Sequence, residues 1–316
     1  MNKKVKNIFK KALPPLITVI IISFILSRIN LQSLYFHFST MNIFILLVSL
    51  LLFVPITLIK SERWRYIIRE YCKISSKKAL KITFLGASFM VITPSQLGDM
   101  VKADFLKREG SMPLRRGVPS IFFEKALDLM ALCILCIVGI LLVGLTTILV
   151  TILAGAAAIV FAFIFMYVVV LSKSRILRRI MNIFFRIKHI GEFVKEAYNF
   201  MLQTKSMNKL LGYILLSVFL WAVHLLQIYL FFLAFGFYPS TELVLALVPP
   251  AILTGLLPIT IAGIGTRDSM LLLLFGEYAP TIPTAAVMGV AVFCSIRYLI
   301  PAIPGTLFLK EYIRKF

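Results

Sequence analysis

Acidic residues are scarce in this chain: 13 Asp and Glu stand against 34 Lys and Arg, a formal net charge of +21 at pH 7. Each carboxylate within apolar sequence therefore needs a reason, because a charge at membrane depth costs roughly 2.5–3.5 kcal/mol on insertion scales. Polar sequence is scarce as well. Only 15% of residues are charged and 60% are hydrophobic, and the mean hydropathy is +0.96. The longest polar stretch, residues 172–209, is too short to fold as a soluble catalytic domain with its own core. The three histidines, His37, His189 and His224, lie far apart and fit no metal-ligand spacing. The sequence holds no phosphate-binding G-x-x-x-x-G-K-[ST] loop and no G-x-S-x-G nucleophile elbow. Of the four cysteines, Cys133 and Cys136 form a C-x-x-C inside an apolar run, which points to packing rather than redox chemistry. These absences exclude hydrolytic and nucleotide-driven chemistry. The expectation is a non-enzymatic protein with no cofactor and no metal.

What the chain does have is apolar sequence in span-length runs. Six segments are long enough to cross a bilayer: 12–29, 41–59, 118–143, 148–171, 210–236 and 285–309. The first follows basic residues like a signal peptide, but it is span-length and no small-residue cleavage site follows, so it reads as an uncleaved helix. Lys and Arg crowd into 3–11, 60–81, 102–125, 173–209 and 310–315, whereas 30–43, 144–147 and 237–243 hold none. The positive-inside rule places the basic segments and both termini in the cytoplasm, as in a multi-pass protein of the cell membrane. The basic segments alternate with spans and carry no nucleic-acid module, so the charge serves topology and contact with anionic lipid. Residues 60–78 and 173–209 mix aromatic and basic positions and read as amphipathic helices on the inner leaflet.

Two further segments, 80–108 and 244–277, are apolar but short and interrupted. The first lies between two basic segments and the second between two bare ones, so each reads as a re-entrant hairpin, entered from opposite faces. Each holds a proline, a glycine and an aspartate at its turn: Pro94, Gly98 and Asp99 in one, and Pro258, Gly265 and Asp268 in the other. That pattern is the mark of an inverted-topology repeat. The fold expected is an all-α polytopic membrane protein, one transmembrane domain over 1–316, with about six full spans and two broken hairpins.

The candidate site residues sit at these breaks and in the spans beside them. Arg267 follows G-x-G-T, counting Gly263 and Gly265, at the start of a short helix; exposed N–H groups, the positive helix end and a guanidinium together suit an anion. Asp268 can pair with Arg267, Arg297 or Lys102. Asp99 and Lys102 share a face after Gly98, which permits close backbone approach; Asp99 is either a helix cap or part of a polar site. Glu124 and Asp128, four apart, form either a structural ion pair or one wall of a polar cavity. Arg297 lies inside the last span, either as a partner of Asp268 or as a second phosphate ligand.

Three runs in order, T-P-S-Q-L-G-D-x-x-K at 93–102, F-F-E-K-A-L-D at 122–128 and P-I-T-I-A-G-I-G-T-R-D at 258–268, resemble the lysylphosphatidylglycerol synthase transmembrane region family, also called flippase-like domain proteins. The family's first motif usually reads P-x-x-x-G-E-x-x-R, its second has E-R and its third ends R-E. Here Asp99, Lys102, Lys125 and Asp268 keep the charge with different side chains. The Arg-to-Lys changes give up bidentate phosphate geometry. The resemblance implies a flippase or flippase-like transporter for a phosphate-headgroup lipid, anionic or zwitterionic, such as an aminoacyl-phosphatidylglycerol or a polyprenyl-phosphate sugar. Arg267, Lys102 and Arg297 would hold the phosphate, and Asp99, Glu124, Asp128 and Asp268 would hold those cations or receive an ammonium. Relatives join this region to a soluble synthase domain, which these 316 residues do not contain. The alternative is a non-catalytic membrane partner of a separate lipid synthase or glycosyltransferase.

Overall fold

The computed structural model describes residues 3–93, 97–144, 146–171, 195–196, 198–200, 202, 207–257 and 259–314. Pro94, Pro258, His189 and nearly all of the amphipathic segment expected over 173–209 lie outside the described residues. Among the described residues the elements are all helical, as lipid requires of a chain that must satisfy its own backbone. They are α1 (Lys3–Arg28), α2 (Leu31–Thr40), α3 (Ile43–Leu51), α4 (Phe53–Ile68), α5 (Ser76–Ile92), a 3-10 turn (Leu97–Met100), α6 (Val101–Arg108), α7 (Leu114–Val143), α8 (Thr147–Leu171), α9 (Met207–Ala234), α10 (Thr241–Gly255), α11 (Thr266–Tyr278) and α12 (Thr284–Arg314).

Five helical runs are long and apolar enough to cross a membrane, Ile43–Ile68 and the spans within α7, α8, α9 and α12; a sixth arises if α1 and α2, bent by 90°, count as one broken span. The expected spans are thus present. Helices α3 and α4 form one run with a local break at Leu52. Pro55 accounts for the break, since it offers no N–H to the Leu51 carbonyl. The side-chain amide of Gln227 in α9 donates to the Ser49 carbonyl at 2.9 Å beside the break.

The expected amphipathic helix over 60–78 is corrected here. Residues 60–68 continue α4, and Ser61, Arg63, Trp64, Ile67 and Ile68 are buried. Arg69, Lys73 and Lys77 are exposed, but Arg63 turns inward because it finds two carboxylates inside the protein.

The two interrupted segments form helix–break–helix pairs, α5 with α6 and α10 with α11, whose arms pack on one another. With 17 residues in α5, 8 in α6, 15 in α10 and 13 in α11, no arm reaches the ~30 Å of hydrocarbon at ~1.5 Å rise per residue. Each first arm starts on a serine cap: Ser75 accepts from the Lys78 N–H and Ser240 from the Leu243 N–H. Each then packs most extensively on the long helix of the other half, α5 on α12 and α10 on α7. Both crossings rest on a glycine in the long helix. Gly305 lies against the Phe84 carbonyl and Ser88, and Gly139 against the backbone of Leu245 and Ala246, each too close to admit a Cβ. The two halves therefore repeat one arrangement: a broken pair, then a long helix that supports the partner half's broken pair.

Gly139→Leu and Gly305→Leu should each lower the thermal unfolding midpoint in detergent by several degrees, overpacking costing about 1–3 kcal/mol or more where backbone is displaced. Gly155→Ala, with nothing within 4 Å, should leave it unchanged. Leucines that unfold at the wild-type temperature would refute the crossings.

Candidate functional site

The first break gathers charge from four elements. Helix α4 supplies Lys60 and Arg63 one turn apart, the 3-10 turn supplies Asp99, α6 supplies Lys102, and α7 supplies Glu124, Lys125 and Asp128. Gly98 sits against the Phe89 and Met90 backbone, where a Cβ would collide, and so seats the turn on α5. The Asp99 carboxylate, fully buried, is ringed by Lys60 at 3.2 Å, Lys102 at 3.2 Å and Lys125 at 2.5 Å. Glu124, also fully buried, accepts from Lys102 Nζ at 3.0 Å and Arg63 Nη2 at 3.2 Å. Arg63 Nη1 donates to Asp128 Oδ1 at 2.6 Å and to Ser217 Oγ at 2.8 Å, and Trp221 Nε1 donates to the same Asp128 oxygen at 3.1 Å. The Lys102 ammonium also lies 5.4 Å from the Trp64 ring centroid. In a low-dielectric interior such charges persist only when paired, and α7 supplies two of the three anions from one face, four residues apart.

Beside this cluster, among α4, α5, α7, α9 and α12, lies a cavity of about 70 Å³, room for several waters. Its polar wall includes Lys60, Lys125, Asp128, Trp221, His224 and Arg297. Arg297 is 4% exposed. Its Nη1 lies 3.2 Å from His224 Nδ1 and its Nη2 donates to Tyr298 Oη at 3.1 Å. Arginine accepts nothing, so Nδ1 is the acceptor. The His224 ring packs against Trp221 at 4.9 Å. Arg297 Nε is buried with no hydrogen-bond partner, and among the described residues no carboxylate pairs with this guanidinium. Pro301, four residues on, offers no N–H to the Arg297 carbonyl.

The second break is built differently. Gly263 (φ +73°) approaches the Gly255 backbone, and Gly265 (φ +95°) opens α11 against Ile21. Asp268 turns back to accept the Gly265 N–H at 2.9 Å. Arg267 donates from Nε and Nη2 to Asp268 Oδ1 at 2.8 and 2.6 Å, from Nη1 to the Cys294 carbonyl at 3.1 Å, and from Nη2 to Ala291 O and Ser295 Oγ. Thr18 of α1 accepts the Ile261 N–H at 3.0 Å.

The sequence-derived site is therefore divided. Asp99, Lys102, Glu124 and Asp128 come together at the first break with Gly98 beneath them; Arg297 faces the adjoining cavity; Arg267, Asp268, Gly263 and Gly265 form a separate unit. Two expected phosphate ligands have partners within the protein itself. The anion site at the start of α11 is filled by the chain's own Asp268, and every nitrogen of the Arg267 guanidinium is engaged inside the protein. Lys102 is closed in by Asp99, Glu124 and Trp64. Asp268 takes Arg267 as its partner, leaving Arg297 to the cavity. Lys60, Arg63, Lys125 and Trp221 were missed. The signal was present: Thr57, Lys60, Ser61, Trp64, Ile67 and Ile68 continue one helical stripe past the end of the apolar run.

Arg63→Met leaves Glu124 and Asp128 without their shared cation and should destabilise by about 3–5 kcal/mol. Arg297→Met removes a cation with no anion and should leave the unfolding midpoint unchanged or higher. Thermal melts of both variants in detergent check this; equal losses would show that Arg297 is charge-balanced like Arg63.

Comparison with known proteins agrees with this architecture. The family model of the lysylphosphatidylglycerol synthase TM region matches residues 12–305. The chain is 24% identical over 337 residues to the UPF0104 membrane protein MJ1595 of Methanocaldococcus jannaschii, with 98% of each chain covered. A helical polytopic chain matched over nearly its whole length in this way belongs to the lysylphosphatidylglycerol synthase TM region family.

Proposed function

We propose that this protein is a flippase-like transporter that moves a lipid with an anionic headgroup across the cell membrane, without covalent chemistry. One observation carries the reading. A cavity among five helices is lined by Lys60, Lys125 and Arg297, with Arg297 Nε unsatisfied. A buried cationic pocket in membrane sequence calls for an anion, and lipid headgroups are the anions that the bilayer supplies. The acyl chains would stay in lipid while the phosphate crosses between the helices. The two broken pairs support this, since irregular backbone at membrane depth is tolerated where it lines a polar path. In this reading both broken pairs are re-entrant, one from each face, and both termini lie in the cytoplasm on the side of the basic segments.

The small volume of the cavity means that cargo entry requires the helices around it to part. The α5–α12 crossing is one wall that can shift, and α4, broken at Leu52, is another.

Headgroup-labelled lipid in proteoliposomes tests the proposal. Wild type should accelerate translocation of an anionic phospholipid. Arg297→Gln should slow it by at least about tenfold, the equivalent of one charge-assisted hydrogen bond, while the protein remains folded. Unchanged flipping in that variant would remove the cavity from the path; no flipping by wild type of any anionic lipid would sink the proposal.

A further inference from the structure

The charge count at the first break says more about the cargo than that it is anionic. Five buried or half-buried cations meet there: Lys60, Arg63, Lys102, Lys125 and Arg297. Three carboxylates answer them: Asp99, Glu124 and Asp128. Lys125 pairs with Asp99, one of these three. Arg267 and Asp268 balance one another separately. Among the described residues this leaves an excess of two positive charges beside one small cavity, which Arg297, its Nε buried without a hydrogen-bond partner, helps to line.

Resting on the transport reading above, we infer that the cargo headgroup carries two negative charges, as a phosphomonoester or a diphosphate esterified at both ends does, rather than the single charge of a phosphodiester or the net positive charge of a lysyl ester. Two charges neutralise the cluster. A phosphodiester leaves one cation unanswered in a region where an unpaired charge is strongly disfavoured. A lysyl-phosphatidylglycerol headgroup brings two ammonium groups toward a pocket already in positive excess. The ligand geometry agrees. Lysines act as point charges that suit several phosphate oxygens at once, and the one arginine can still donate from Nε.

The test is lipid-dependent thermal stabilisation of the detergent-solubilised protein at pH 7, where a phosphomonoester with a second pKa near 6 is mostly doubly charged. Phosphatidic acid, phosphatidylglycerol and lysyl-phosphatidylglycerol with identical acyl chains are compared, together with a polyprenyl phosphate and a polyprenyl diphosphate sugar. Bound ligand raises the midpoint in proportion to its affinity. Phosphatidic acid and the two polyprenyl lipids should bind at least about tenfold more tightly than phosphatidylglycerol, with the lysyl ester weakest. The basic surface attracts every anion, so the decisive measure is a ratio: Arg297→Gln, which changes no surface charge, should bring the phosphatidic acid to phosphatidylglycerol ratio close to one. Lys60→Gln serves as a second variant if the first does not fold. Stronger binding of the polyprenyl lipids than of phosphatidic acid would identify the chain as well as the charge. Equal affinity for phosphatidic acid and phosphatidylglycerol, or a ratio unmoved by both variants, overturns the double charge while leaving anionic-lipid transport standing. No binding by any of the five lipids overturns both.

Discussion

An arginine held away from water must bring its own counter-ions, and Arg63 brings two. Its guanidinium joins Asp128 and Glu124 on α7 to α4 and, through Ser217, to α9. Neither carboxylate could stay ionised there alone, and Arg63 could not be buried without them. Once that junction forms, Glu124 is placed to receive Lys102, which fixes α6, and Lys102 is placed to receive Asp99, which fixes the turn between α5 and α6. One buried chain of charge thus ties four helices and a turn. The surrounding apolar side chains of α4, α5, α6 and α7 make one continuous core around it. Lipid exerts little force to bring helices together. Here the paired charges supply the direction and the glycine crossings supply the close approach.

The two halves share a plan and differ in chemistry. Both have a serine-capped arm, a break, a second short helix and a long helix carrying proline. At the second break the anion and cation are adjacent in sequence, and they cancel. At the first break the charges come from elements far apart in sequence and do not cancel. The second break is therefore charge-balanced within itself. Its Arg267 clamps α11 to the carbonyls of α12 at Ala291 and Cys294, six and three residues before Arg297. The register of α12 set by that clamp determines where Arg297 enters the cavity.

This division explains what could be read from the chain and what could not. Span-length apolar runs, glycine-marked breaks and acids in apolar sequence are local signals, and they placed the helices, both broken pairs and most of the charged residues. Pairing is not local. Arg267 looked open because a helix start, two glycines and a guanidinium favour an anion; that the next residue would fill the position was one of several partners available to Asp268. Lys60 and Arg63 looked like inner-leaflet residues because positive charge beyond a span usually marks its end. Only the approach of α7, some sixty residues later, turns that end into the middle of a core. Gly305 and Gly139 gave no signal at all, since a glycine in a helix reads the same whether or not another helix crosses it.

The excess charge also bears on how such a site would move. Lys60 and Lys125 share the single charge of Asp99, so under the proposed excess a net repulsion would act among α4, α7 and α12, strengthened by the low dielectric. A doubly charged headgroup would reverse the sign of that interaction, so that α4, α7 and α12 would draw together around cargo and ease apart without it. Differential affinity for the two arrangements is what a ligand needs in order to shift a conformational equilibrium. Under the proposed charge, the cargo itself supplies it: a headgroup of one charge would leave the walls still repelling, and would bind the open and closed arrangements with less difference. The same excess that selects the headgroup then sets the energy with which the site closes on it.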